Sequence, residues 1–406
     1  MIGKGVWAGL VGQPTTIQVL STAAAAAANG AGANSAGGST AASGRSGMTH
    51  AWLFTGPPGS GRSVAARAFA AALQCTQDPP GCGGCQSCRT VLAGTHPDVR
   101  NIVPEGLSIS VAEMRALVQA ASRRPASGRW QIVVIEDADR LTEGASNALL
   151  KAVEEPPART VFLLCAPSDH PDDVSVTIRS RCRVVALRTP SAFDIADVLR
   201  ERDGIDPAMA TWAASVSGGH VGRARRLATD PAARSRREAV LAVPAALHGA
   251  TDPFAAAEAL VTAAANEAVE TTKNRDESEK AELEMALGKG GTGRGTAAAS
   301  RGVVGAVREL ERRQKSRATR TQRDSLDRAL VDLAGFYRDV LTVSFGADVP
   351  LTHPDRLPDI RSAASAYPRE GVLRRLEAVL ACREAIELNV KPRIAVDALV
   401  TVLRHG

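Results

Sequence analysis

Residues 56–63 read Gly-Pro-Pro-Gly-Ser-Gly-Arg-Ser, the outline of a phosphate-cradling loop with one working residue exchanged. The pattern for such loops is G-x-x-x-x-G-K-[ST], and Arg62 stands at the lysine position. Gly56, Gly59 and Gly61 free the backbone to curl with its N–H groups facing a polyphosphate, and Pro57, Pro58 and Ser60 fill the variable positions. Ser63 is still placed to reach Mg²⁺. The usual lysine is a compact point charge on the β- and γ-phosphates, and a planar guanidinium does not fit the same space. The loop keeps its shape for ATP or ADP while its working charge is altered. Turnover by this chain is therefore expected to be weak or lost.

The flanking sequence supplies the strand–loop–helix context that such a loop needs. Ala51-Trp52-Leu53-Phe54 is a short apolar run entering the loop, and Val64 to Leu73 reads as a helix leaving it. Apolar runs at Gln131–Ile135 and Val161–Cys165 read as buried strands and Val184–Leu187 as a further short one, alternating with helical stretches. That alternation predicts an α/β domain with a parallel sheet. Beyond about residue 188 the strand signals fade. The expected organisation is an α/β domain over 1–187, a small helical domain over 188–240 and an all-α domain over 241–406. In the last, Leu326, Leu330, Leu333, Phe336, Tyr337, Val340 and Leu341 recur at helical spacing. Two low-complexity segments, 21–47 and 271–302, read as flexible insertions, with some helix at the Ala run 23–28.

Aromatic residues make up 3% of the chain, so its cores must be aliphatic. A net charge of +6 over 406 residues is mild, which argues against reading basicity alone as nucleic-acid binding. The arginines between Arg308 and Arg328 read mostly as one solvated helix face, with phosphate contact as the sharper alternative. No run approaches the roughly 18–20 apolar residues of a membrane span, and no basic segment precedes the Ala run as in a signal peptide. A cytoplasmic location is expected.

Four of the seven cysteines fall within 14 residues: Cys75, Cys82, Cys85 and Cys88. This C-x₂-C-x₂-C run, with a fourth cysteine seven positions upstream, suits four thiolates around one tetrahedral ion with no open position, a structural Zn²⁺. An iron–sulfur cluster is the rival, and free thiols are the bland reading. At Ile132–Asp139 an apolar strand ends in acids, the place where Mg²⁺ is held and a water oriented. There Glu136 and Asp137 stand in reverse of the usual Asp-Glu order, which shifts each carboxylate by about one methylene. The alternative is that they only support the next helix.

Taken in order, Gly9-Leu10-Val11-Gly12-Gln13, the 56–63 loop, the cysteines, His96-Pro97-Asp98, Ile135–Asp139, Asn147-Ala148-Leu149-Leu150-Lys151, Glu154-Glu155-Pro156-Pro157 and Ser180-Arg181-Cys182 resemble the AAA+ subunits of the bacterial DNA polymerase III clamp loader. Asn389-Val390-Lys391-Pro392 and the helix after it resemble the end of the collar in that family. The resemblance implies an AAA+ domain with a zinc module, a lid, and a C-terminal helical collar that builds a hetero-pentamer. The partners it implies are gamma/tau motors, delta, the sliding clamp and primed DNA. It also implies that Arg181 projects into the ATP site of an adjacent subunit, where an always-charged planar fork stabilises a transferring phosphoryl group. The departures are Arg62, the transposed acids, Gly222 near the lid arginine position, and Cys165-Ala166-Pro167-Ser168 in place of a nucleotide-sensing threonine pair. Together they imply a stator that does not hydrolyse ATP, with an ATP-hydrolysing motor as the alternative.

Overall fold

A computed structural model describes residues 4–29, 47–249, 252–286 and 296–405, which form two compact units, Met1–Ala228 and Thr229–Gly406. The first is built on five strands: β1 (Ala51–Thr55), β2 (Val99–Ile102), β3 (Gln131–Ile135), β4 (Thr160–Ala166) and β5 (Arg183–Ala186). All pairings are parallel, in the order β2-β3-β4-β1-β5. This confirms the parallel α/β expectation. β1, β3 and β4 are buried at every position, because helices cover both faces.

Alternate residues of each strand serve opposite faces. Trp52, Phe54, Ile132, Val134, Val161 and Leu163 enter one core with α1 (Pro14–Ala28), α2 (Arg62–Gln74) and α3 (Gln86–Leu92). Leu53, Val133, Ile135, Phe162 and Leu164 enter the other with α4 (Val111–Ala121), α5 (Glu143–Glu154) and α6 (Val176–Arg179). Helices α7 (Ala192–Glu201), α8 (Pro207–Ser215) and α9 (Val221–Thr229) come after the sheet. The expected flexible segment 21–47 is helical as far as Ala28. Alanine favours helix, and its small side chain lets Ala23, Ala24 and Ala27 bury. Residues 30–46 lie outside the described residues.

Edge strand β2 has no apolar run and is fixed instead by polar contacts. The Asp98 carboxylate accepts hydrogen bonds from the amides of Ala126 (2.7 Å), Ser127 (2.8 Å) and Gly128 (2.6 Å) and from the Ser127 hydroxyl (3.1 Å). The Asp98 amide in turn donates to His96 Nδ1 at 3.1 Å. The His96-Pro97-Asp98 motif thus ties the loop before β3 to the start of β2.

Among the described residues the second unit is built of helices: α10 (Pro231–His248), α11 (Pro253–Ala286), α12 (Thr296–Phe345), α13 (Leu357–Ala366), α14 (Arg369–Glu387) and α15 (Pro392–His405). Its core includes Leu326, Leu330, Leu333, Phe336, Tyr337 and Val340 from α12, the residues whose spacing predicts that helix. The expected insertion at 271–302 is helical over 271–286. There buried Arg317 of α12 reaches Glu279 of α11 with two bonds of 3.0 and 2.8 Å, and Asp276 at 3.3 Å. Residues 287–295 lie outside the described residues. No helix among the described residues is long and apolar enough to cross a membrane.

Burial works against ionisation of Asp98, but its hydrogen bonds outweigh that and hold its pKa below the usual value. Such a group stabilises the fold above its unfolded pKa of about 3.9, and the contribution is lost as pH falls through the lower folded value. Asp98→Ala is expected to cost roughly 1.5–3 kcal/mol at pH 7 by chemical denaturation. The gap to the parent chain should close as pH drops below about 4.

Candidate functional site

The phosphate loop joins the end of β1 to the first turn of α2, at the carboxyl edge of the sheet where α/β folds bind ligands. The Gly56 amide donates to the Pro167 carbonyl at 3.1 Å, which fixes the loop against the end of β4. Gly59 has a φ of +89°, and a Cβ there would lie 2.7 Å from the Cα of His220, at the start of α9. Only glycine allows this approach. The result is that the beginning of α9 rests on the loop. Gln13 clips the same loop: its Nε2 donates to the carbonyls of Arg188 (2.5 Å) and Ser60 (3.4 Å), and its Oε1 accepts from the Arg188 amide at 3.3 Å.

Arg62 occupies the first position of α2 but turns back, its Nη1 donating to the Gly56 carbonyl. The guanidinium therefore spends a donor on the loop's own backbone. Glu136 and Asp137 come directly after β3 at the same edge of the sheet. Glu136 accepts from Asn101 Nδ2 at 2.7 Å and faces Arg67 Nε at 3.9 Å. Asp137 precedes a short 3₁₀ turn, Ala138–Arg140. Asp139 has a raised pKa, from burial first and repulsion by Asp137 second, while Arg140 and Arg62 act in the opposite direction. Cys165 at the end of β4 is pushed up by burial and by Glu136. The structure thus brings together the loop residues Gly56–Ser63, the two acids and Cys165, a cluster whose charges compensate one another. His220, Arg67 and Asn101 were not singled out from sequence. They face the site through tertiary contacts, and no spacing rule marks them.

The four cysteines converge. Their sulfurs all lie within 4.8 Å of one another, with Cys75 to Cys82 at 3.7 Å and Cys75 to Cys85 at 3.9 Å. A tetrahedral ion with metal–sulfur bonds of about 2.3 Å needs sulfur spacings of about 3.8 Å, so the cluster fits one. Backbone amides already point at the sulfurs: Cys85 N–H donates to Cys82 at 3.3 Å, and Cys88 N–H to Cys85 at 3.4 Å. Burial opposes ionisation of Cys85, but the bonds from the backbone of Cys88 and Thr76 bring its pKa to about 6. Burial pushes Cys88 up. The knuckle packs under the N-terminal turn, where the Val6 amide donates to the Gly81 carbonyl at 3.0 Å.

Arg181 is not in the phosphate-loop cluster. It precedes β5, whereas the loop comes after β1, and the two strands pair in parallel with Trp52 opposite Arg183 and Thr55 opposite Ala186. Arg181 therefore sits at the amino edge of the sheet, about 13 Å along the strand direction from the edge that carries the loop. That is further than an arginine side chain reaches. Its Nη2 pairs with Glu154 at 2.8 Å, and its Nη1 donates to the Thr177 carbonyl (2.9 Å) and the Ser180 hydroxyl (3.2 Å).

The basic run from Arg308 to Arg328 is largely engaged within the second unit. Arg312 and Arg313 pair with Glu309, Arg317 with Glu279, Arg320 with Asp324, and Arg328 with Glu267. Arg323 bonds Asn389 at 2.6 Å. Arg317, Arg323 and Arg328 brace α12 against neighbouring segments, whereas Arg312 and Arg313 pair along α12 itself and stay exposed.

Residues 40–191 match a family model described as DNA polymerase III, delta subunit. The DNA polymerase III subunit delta' of Bacillus subtilis is 31% identical over 196 residues, 48% of this chain and 58% of the relative. That of Escherichia coli is 38% identical over 146 residues, 35% of this chain and 43% of the relative. Over this stretch the chain is similar to delta-prime subunits of DNA polymerase III. It spans about half the length of the curated relatives it matches. The tau subunit of B. subtilis is 34% identical over 138 residues, 24% of its length. The matched stretch contains the phosphate loop, the cysteine cluster and Arg181 together.

Elemental analysis of the purified chain is expected to give one metal ion per chain. Cys85→Ser should abolish stoichiometric retention and lower the melting temperature, whereas Cys382→Ser, outside the cluster, should leave retention intact. Metal content far from one per chain would contradict the assignment.

Proposed function

We propose that the chain is the stator of a DNA polymerase III clamp loader: it hydrolyses little or no ATP itself and lends Arg181 to an ATPase subunit beside it. The observation that carries this reading is the placement of Arg181 at the sheet edge opposite the chain's own phosphate loop. A cation so placed has no work to do on a nucleotide held by this chain, yet it stands at a surface where a neighbour can dock. Arg62 folded onto Gly56, and the acids compensated by Arg67 and Asn101, support the same division of labour. Any ATP or ADP held at Gly56–Ser63, with Mg²⁺ near Glu136 and Asp137, would on this reading bind without productive turnover.

The metal in the Cys75, Cys82, Cys85 and Cys88 cluster is proposed to be Zn²⁺, which four thiolates and no open position favour in a structural role. The partners are then gamma/tau-type motors and delta in a hetero-pentamer that places the sliding clamp on primed DNA in the cytoplasm. Residues 188–240 would act as the lid and 241–406 as the collar. Contact with DNA would come through the assembled complex, since the arginines of α12 are mostly engaged by acids.

Arg181→Ala is expected to leave folding and assembly intact while cutting ATP turnover at the neighbouring site, where such a finger is worth about 10³- to 10⁵-fold. Steady-state hydrolysis by the reconstituted complex, with clamp and primed DNA present, measures this. Unchanged turnover would remove the mechanism.

A further inference from the structure

The contact that holds Arg181 has a direction of its own. Glu154 is the last residue of α5, where exposed carbonyls make a helix end negative and a carboxylate is disfavoured. The end of α5 is nevertheless well fixed. Val153 is buried, its carbonyl pairs with His50 Nε2 at 2.8 Å, and Pro156-Pro157 prevents the helix from continuing. A carboxylate set on so firm a support, at an unfavourable helix position, is stabilised by the cation it faces, and that cation is Arg181. The adjacent Arg179 is held separately, by Asp169 at 2.7 Å. Both members of the Arg181–Glu154 pair retain 39% of their side-chain exposure, so other groups can reach either one.

We propose that Glu154 is a latch on Arg181, holding the guanidinium in an unengaged position until a neighbour's phosphoryl group displaces the carboxylate. The inference rests on the trans role of Arg181 proposed above. Carboxylate and phosphoryl oxygens compete for the same planar fork of N–H donors, so the two contacts exclude each other at Nη2. An exposed ion pair shifts an equilibrium by only about two- to fivefold, weak enough for such an exchange to be reversible. Glu154 is thus a positioning residue that restrains hydrolysis before the complex is properly assembled.

The test uses the full chain, alone and in the reconstituted complex. Glu154→Gln is expected to raise ATP turnover of the complex without clamp or DNA by about two- to fivefold, with the melting temperature unchanged. The gain should vanish in the Glu154→Gln/Arg181→Ala double variant. No gain, or a gain that survives the loss of Arg181, overturns the latch. In the isolated chain, phenylglyoxal modification of Arg181, read by mass spectrometry, should be faster by a similar factor in Glu154→Gln. An unchanged labelling rate also overturns it. If Arg181→Ala alone leaves turnover intact, the trans role fails, and labelling still decides whether Glu154 holds Arg181.

Discussion

Because β1 and β5 run parallel and paired, the loop leaving the first strand and the residues entering the second must lie at opposite edges of the sheet. This constraint separates the phosphate loop from Arg181 more firmly than any side-chain contact. It is set by the hydrogen-bond ladder and by a core in which Trp52, Phe54 and Phe162 are fully buried, so moving either group would mean remaking the sheet. One edge then carries the glycine-rich loop, and the other carries Arg181.

At the phosphate-type loop, the chain's own charged groups engage one another. Arg62 bonds the loop carbonyl, Glu136 is shared between Asn101 and Arg67, and His220 rests on Gly59. The backbone curl survives because Gly56, Gly59 and Gly61 still adopt positive φ. Shape and charge have thus come apart: glycine maintains the first, and the arginine at 62 redirects the second. At the opposite edge the guanidinium of Arg181 remains near the surface, weakly held.

Much of this was legible in the sequence, for identifiable reasons. Strands β1, β3 and β4 are buried on both faces and so read as unbroken apolar runs, and the cysteines needed only their spacing to suggest one site. β2 was not legible, because Val99-Arg100-Asn101-Ile102 is a polar edge strand whose anchor is the Asp98 carboxylate. The helix that runs to Ala28 agrees with the helix expected at the Ala run, whereas the reading of 271–302 as a flexible insertion missed helix over 271–286. Charged helices lack the apolar stripe that marks amphipathic ones, and this one is held by ion pairs to α12 that no local pattern displays. The pairing of Arg181 with Glu154 joins two sequence motifs that were apparent separately but whose contact only the fold reveals.

The proposed stator role requires that this chain not hydrolyse ATP by itself. Steady-state ATP hydrolysis by the purified chain alone, with Mg²⁺, tests that most directly. No turnover above background is expected, and the same result for Asp137→Asn. Sustained hydrolysis by the isolated chain, abolished by Asp137→Asn, would contradict it.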